Sequence, residues 1–323
     1  MNTKQIFFDC PVGVKQGDSI SATLFSIFIN DLAEEIKATK IGLNLHENLK
    51  NKNSIDSSEN LFLNILLYAD DIVLLTSSED DLQFLLNIVE QWCRKWRLEV
   101  NLTKTNVMHI RNAGCNQSKF VFLFNCRIVT YCNTYKYLGS TLDEFLNFNK
   151  TSETQAESAG CALGALITKT IKNGGFPYSI YTMLYDCLVC SVSDYGSEIW
   201  GFECRDAATK IQLRATRVFL GLPKTATSAG VLAEMSWPEP VYRTQIRMLR
   251  QYFRILKMDQ SRLTRRIQVW DDKFSETHNV QTWSSEVRNI LTNHNQGHCY
   301  DPQMNICVRD RSTQEKHVSL SKC

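Results

Sequence analysis

The sequence predicts an α+β protein in two parts: short strands packed with helices first, then a region built almost wholly of helices. Three observations predict it. Before residue 150 the apolar residues fall in short runs and alternations of strand length, and after it they recur at helical spacing. The charge also changes character: residues 1–150 hold 15 basic and 17 acidic side chains, whereas 205–266 hold 13 basic against 4 acidic. A chain of 323 residues, 43% hydrophobic and 22% charged, has the length and composition for two cored domains, with expected bounds 1–150 and 151–295 and a loosely ordered polar tail at 296–323.

Taken in order, Phe7-Phe8-Asp9-Cys10-Pro11 reads as a short strand entering the loop Gly13-Val14-Lys15-Gln16-Gly17-Asp18-Ser19. Asp18 or Ser19 is the expected N-cap of the amphipathic stretch that ends Phe28-Ile29-Asn30-Asp31-Leu32. Residues 44–60 are rich in Asn and Ser and read as a mobile loop. The apolar runs 61–67 and 72–75 flank Tyr68-Ala69-Asp70-Asp71 as the two strands of a hairpin. A helix over 78–97 and strands over 105–110, 120–124 and 127–131 complete the first part. The second predicts helices over 154–172, 177–199, 207–220, 240–257 and 262–274, broken at Gly174-Gly175, Gly201 and Gly221-Leu222-Pro223. The tail from Asn293 is polar, and no internal repeat is evident.

Composition excludes several classes of protein. Met1 is followed by polar residues rather than an apolar targeting segment, and no apolar run approaches the roughly 18 residues of a membrane span. An intracellular protein, nuclear or cytoplasmic, is expected. Its twelve cysteines lack framework spacing and read as reduced thiols, so sequons such as Asn101-Leu102-Thr103 carry no meaning. His294, His298, Cys299 and Cys307 cluster near the C-terminus but match no usual zinc spacing, because no two close ligand pairs are separated by a loop.

The acidic hairpin carries the chemistry. Two carboxylates at an apolar turn rarely serve packing, since burying an unpaired charge is costly. Adjacent aspartates are the hard oxygen donors that a pair of magnesium ions would need for phosphoryl transfer. On its own the tetrapeptide also fits an acidic turn of a surface hairpin. Further along, Arg243, Arg247, Arg250, Arg254 and Lys257 recur at spacings of four, three, four and three, one helical face, backed by Met248, Leu249, Tyr252, Phe253 and Leu256. A shorter stripe, Lys210, Arg214 and Arg217, repeats the pattern. With few acids nearby, these faces are candidate contacts to nucleic-acid backbone.

The Gln16-Gly17 loop and its helix, the Tyr68-Ala69-Asp70-Asp71 hairpin, Leu98-Glu99-Val100-Asn101-Leu102-Thr103-Lys104-Thr105 and Tyr135-Lys136-Tyr137-Leu138-Gly139 follow one another in a recognisable order. Together they resemble the reverse transcriptase of a non-LTR (LINE-type) retrotransposon. Leu184-Tyr185-Asp186, the block from Asp194-Tyr195-Gly196 to Trp200-Gly201, and Arg217-Val218-Phe219-Leu220-Gly221 resemble the segment that follows the polymerase core in many animal elements.

The resemblance implies a partial polymerase palm, with an antiparallel sheet and helices, followed by a thumb-like or connection-like helical region. It implies catalytic roles for Asp70, Asp71 and Lys104, with two Mg²⁺ ions held by Asp70 and Asp71 and the lysine facing the departing pyrophosphate. Gln16, Gly17 and Tyr68 would lie against template and nucleotide, and Tyr137, Leu138 and Gly139 would form the primer grip. Expected partners are an RNA template, a DNA primer and deoxynucleotides. The family palm also takes a carboxylate from a strand before the Gln-Gly loop, where only twelve residues precede Gly13 and Asp9 is a poor substitute. A fragment inactive alone is therefore expected, with fingers and the further Asp from an upstream polypeptide. The alternative is a non-enzymatic remnant that binds nucleic acid.

Overall fold

In a computed structural model, which describes residues 20–45, 61–201 and 206–300, the first element is helix α1 (Ser21–Ala38). It buries Ile29, Leu32, Ala33 and Ile36, the i, i+3, i+4, i+7 stripe of a helix with one face on a core. Ile20 occupies its N-cap position, and Asp18 and Ser19 lie outside the described residues, as does 46–60. Asn64, itself buried, donates from Nδ2 to the Ile36 carbonyl at 3.2 Å and ties the end of α1 to the strands.

Those strands pair locally. β1 (Leu43–Asn44) runs antiparallel to β2 (Phe62–Leu63), and β3 (Ile65–Tyr68) forms a hairpin with β4 (Asp71–Leu74). Helix α2 (Glu79–Trp96) follows, capped by the Ser78 side chain accepting from the Asp81 amide at 3.2 Å and opened by Glu79, Asp80 and Asp81, acids at the positive end of the helix dipole. It ends at Arg97 in the left-handed region, φ +55°. Beyond it β5 (Asn106–Val107), β6 (Phe122–Phe124) and β7 (Arg127–Tyr131) form a sheet in the order β5-β7-β6, with β5 parallel to β7. Gln83 of α2 both donates to the Leu123 carbonyl and accepts its amide at 2.8 Å, so the helix satisfies the edge of β6 that no strand pairs. The core joins α1, α2 and these strands through Leu32, Ile36, Leu85, Trp92, Phe122 and Val129.

The α+β class holds, but the strands among the described residues form four small sheets rather than one. The expected strand 105–110 shortens to Asn106–Val107 because 108–117 belongs to the second compact unit, which also includes the chain from Cys132 onward. Arg111 is the reason: its amide donates to the Glu144 carbonyl at 2.9 Å and its guanidinium pairs with the Glu144 carboxylate at 3.0 Å, both side chains nearly buried.

The second unit begins with hairpin β8 (Thr134–Tyr137) and β9 (Ser140–Asp143), packed on the long helix α3 (Asn149–Lys172). The stretch expected as one helix over 177–199 is α4 (Tyr178–Tyr185), a π segment (Asp186–Cys190) and α5 (Ser191–Ser193), then a turn and α6 (Ser197–Trp200). The π segment moves the buried stripe by one position: Tyr181 and Tyr185 are buried before it, Val189 and Cys190 within it, and Asp194 after it. Tyr185 stacks on Trp237 with centroids 4.3 Å apart, and the Tyr181 hydroxyl donates to the Ala215 carbonyl of α7 (Asp206–Leu220) at 3.0 Å. α8 (Ser228–Met235), α9 (Pro240–Leu256), α10 (Leu263–His278) and α11 (Trp283–Asn293) complete the unit.

Of the stretch expected as a polar tail, residues 296–300 are described. Tyr300 stacks on Tyr252 of α9, 5.3 Å between centroids and 4° between planes, and donates to Asp272, so the chain is packed through residue 300. A hydrogen-bonded aromatic outweighs the polar composition around it. Residues 301–323, including Cys307, lie outside the described residues.

Eight cysteines are free among the described residues, with Cys115, Cys126, Cys161 and Cys187 exposed and Cys93 and Cys190 buried. Burial pushes the Cys190 thiol up to about 12 and Cys93 upward too. A thiol reagent at pH 8 is expected to label the four exposed residues in the native protein and to reach Cys93 and Cys190 only after denaturation, which peptide mapping would read.

Candidate active site and nucleic-acid interface

In the first unit, the register Leu66↔Val73, Leu67↔Ile72, Tyr68↔Asp71 leaves Ala69 and Asp70 as a two-residue turn. Ala69 has φ +50°, a conformation that costs a non-glycine residue roughly 1–2 kcal/mol. The strands root in the core through Ile65, with Leu67, Ile72 and Leu74 packed against it, whereas Tyr68, Ala69, Asp70 and Asp71 are all exposed, Tyr68 by 61%. Both carboxylates therefore stay hydrated, which removes the penalty that would otherwise oppose two adjacent charges. No side chain among the described residues makes a hydrogen bond or ion pair to either. Hydrated, unpaired and adjacent carboxylates are a donor set that fits a hard divalent cation such as Mg²⁺. No further His, Cys, Asp or Glu joins them in a cluster of three among the described residues.

Lys104 is exposed and ends a turn that Asn101 organises: its Oδ1 accepts from the Thr103 amide at 3.1 Å and hydroxyl at 2.7 Å, and its carbonyl accepts from the Lys104 amide at 3.1 Å. The turn delivers the chain into β5. Neither aspartate pairs with this lysine. Gln16 and Gly17 lie outside the described residues.

Tyr137, Leu138 and Gly139 belong to the second unit, at the tip of the β8–β9 hairpin. Leu138 (φ +47°) and Gly139 (φ +85°) are both left-handed, the pattern of a type I′ turn. Glycine is required at the second place for another reason as well: a Cβ there would lie 2.9 Å from Cε1 of Tyr195. The Tyr195 hydroxyl donates to the Leu138 carbonyl at 2.9 Å, and Nε2 of Gln155 on α3 donates to the Gly139 carbonyl at 3.0 Å. Tyr137 is half-buried, and Leu138 is exposed.

The arginine stripe of α9 divides in two. Arg250, Arg254 and Lys257 are exposed, Arg247 is half-exposed, and the opposite face buries Met248, Leu249, Tyr252, Ile255 and Leu256. Arg243 departs from the expectation of phosphate contact. It is largely buried, its Nε 2.9 Å from Oδ2 and its Nη2 3.3 Å from Oδ1 of Asp194, with Nη1 donating to Gln212 at 3.1 Å. Burial would push its pKa down, but the bonds and charge of Asp194 push it further up, so the guanidinium stays charged. The cause of the departure is Asp194, 4% exposed, which needs a cationic partner. Arg217 departs too: its Nη2 donates to the Ala226 carbonyl at 2.9 Å, closing the loop between α7 and α8. Arg214 and Lys210 remain exposed on α7 and pair with no described side chain.

Sequence reasoning missed the supporting residues Gln155, Asp194 and Tyr195. The signal available was the Asp194-Tyr195-Gly196 block itself, which joined the resemblance without receiving a role. That block also packs on α9: a Cβ on Gly201 would lie 2.6 Å from Cγ2 of Thr244, so α6 and α9 approach as closely as a glycine permits.

With this geometry in place, residues 1–142 match the family described as reverse transcriptase (RNA-dependent DNA polymerase). The chain is similar to the RNA-directed DNA polymerase from mobile element jockey of Drosophila melanogaster, 29% identical over 213 residues, 62% of this chain and 20% of that protein. The protein of the same name in Drosophila funebris is 24% identical over 236 residues, 70% of this chain and 24% of that one. A transposon-derived protein of Caenorhabditis elegans is 25% identical over 186 residues, 58% of this chain and 63% of that one. The chain thus spans a fifth to a quarter of the length of the two jockey polymerases. No solved structure matches it.

Proposed function

We infer that the chain, whose residues 1–142 match the reverse transcriptase family and which is similar to polymerases of its non-LTR, LINE-type form, takes part in copying RNA into DNA at the Asp70-Asp71 hairpin. The observation that carries the reading is the exposed turn bearing two unpaired carboxylates on strands rooted in a core. In this reaction a primer 3′ hydroxyl attacks the α-phosphate of an incoming deoxynucleotide and pyrophosphate leaves.

Asp70 and Asp71 would hold Mg²⁺, two ions in the complete enzyme, which when bound supply Lewis-acid activation of the attacking oxygen and stabilisation of the leaving one. Tyr68 stands exposed beside the aspartates, and with Gln16 and Gly17 it is assigned to nucleotide and template. Lys104 is assigned to the departing pyrophosphate. A further carboxylate comes, as the resemblance implies, from a strand ahead of the Gln16-Gly17 loop. The turn Tyr137-Leu138-Gly139 meets the primer end. Arg247, Arg250, Arg254, Lys257 and Arg214 contact phosphates of the RNA–DNA hybrid by charge rather than sequence, in the nucleus or cytoplasm.

Primer extension on a poly(rA)/oligo(dT) hybrid with Mg²⁺, comparing the purified chain with Asp70→Ala, tests the reading. Incorporation that the substitution abolishes supports catalysis by this hairpin; incorporation that survives it sinks the assignment. A bound hybrid without incorporation favours the second reading, a non-enzymatic binding module, for which the observation is the exposed Arg250, Arg254 and Lys257 of α9, which pair with no described side chain. Under either reading, replacing Arg250, Arg254 and Lys257 with alanine is expected to lower the slope of log affinity against log salt by about two to three, near 0.7–0.9 for each lost phosphate contact, while Asp70→Ala leaves it unchanged. Anisotropy titrations across a salt series would measure it.

A further inference from the structure

The block Asp194-Tyr195-Gly196 has adjacent residues reaching two different parts of the second unit. Asp194 takes Arg243 of α9 in a two-pronged ion pair, and Tyr195 takes the carbonyl of Leu138 at the hairpin tip. The segment between them is held at several points. The Trp200 indole donates to the Tyr195 carbonyl at 3.2 Å, the Ser197 amide donates to the Asp194 carbonyl at 3.1 Å, and the Ser193 hydroxyl donates to the Asp194 carboxylate at 2.8 Å. Gly196, at φ +70°, brings the backbone so close to the hairpin that a Cβ there would touch Oγ of Ser140 at 3.5 Å. From the other side, Gln155 fixes the Gly139 carbonyl. Both carbonyls of the two turn residues thus end on side chains of this unit, while the Leu138 side chain stands exposed.

We propose that Asp194, Tyr195 and Gly196 form a bracket that sets the Tyr137-Leu138-Gly139 turn at a fixed distance from the cationic face of α9, with Tyr195 and Gln155 as positioning residues for recognition of the 3′-terminal nucleotide of a primer. The proposal rests on the reading of that turn as a primer grip. Its physical content is that one rigid segment couples a contact to the strand end with contacts to the phosphates behind it. A turn free to move relative to α9 would lose the first without losing the second. Two anchors on successive residues, whose Cα atoms are about 3.8 Å apart, leave little room for such movement.

The test uses two RNA–DNA hybrids of equal base-pair count, one with a recessed DNA 3′ end and one blunt, and reads their affinity ratio by fluorescence anisotropy. The wild-type chain is expected to prefer the recessed end. Tyr195→Phe keeps the ring against Gly139 and removes only the hydroxyl, so it should lower that preference about fivefold, the factor of a net hydrogen bond near 1 kcal/mol, with the salt slope unchanged and the thermal midpoint lowered by no more than about 4 °C. Gln155→Leu is the second variant and should act in the same direction. Hydrogen exchange should quicken at residues 136–141 in both variants. A merely structural role would lower affinity for both hybrids together and leave the ratio intact. If the wild type discriminates and both variants discriminate equally well, the bracket is overturned while the grip stands. A wild type that binds hybrid with no preference for the recessed end overturns the grip reading and the bracket with it.

Discussion

Asp70→Ala is expected to lower the rate of nucleotide incorporation about a thousandfold or more, in this chain or in a longer one that contains it, whichever extends a primer. Removing a carboxylate that holds a catalytic cation takes away several kcal/mol of transition-state stabilisation, and each 1.36 kcal/mol is about a factor of ten. The surroundings make the test clean. Asp70 is exposed at the turn and pairs with no described side chain, so its loss should leave the thermal midpoint within the small range of an ordinary surface substitution. Asp71 is equally exposed and opens β4, and Asp71→Ala should behave alike. Single-turnover incorporation, a melt and a hybrid titration on the same samples would check it. A rate within tenfold of wild type would remove these aspartates from the reaction.

The second large effect is on stability. Arg243→Ala should destabilise the second unit by about 3–5 kcal/mol, because it leaves the buried carboxylate of Asp194 without its cation. Arg247 is no replacement: its Nε is 3.9 Å from the same carboxylate and its side chain is half-exposed. Removing both partners, as Arg243→Met with Asp194→Leu, should recover much of the loss, since an apolar pair of similar volume carries no desolvation penalty. Urea unfolding of the three variants would decide it, and equal stability of Arg243→Ala and wild type would mean that the pair contributes little.

The two predictions touch sites of unequal legibility. The acidic hairpin could be read because its strands are apolar and its turn is not, a contrast written within fifteen residues. Helix α9 could be read for the same local reason, and Leu249, Tyr252 and Leu256 are buried where the period placed them. The pairing of Arg243 with Asp194 spans 49 positions, and no local pattern carries it. The sequence therefore showed five cations on one face and could not show that the first of them faces inward. Helix α8 escaped because eight residues containing a glycine give too few turns for a period to register. The order around Tyr300 depends on an aromatic partner in α9 and a carboxylate in α10, again distant in the chain.

The π segment Asp186–Cys190 bears on how this chain aligns with its relatives. A π turn is what a helix makes of one surplus residue, so a relative that continues as a regular α-helix here should align with a one-residue gap between Tyr185 and Asp194. Deleting one residue from that stretch would return it to regular α-helix and keep the faces after it, whereas adding a second would rotate everything after it by about 100° around the helix axis. In the second case Asp194 would leave Arg243, and Tyr195 would leave the hairpin. The single added position is thus a register setting: one residue can be lost here, but another cannot be gained, without moving the block.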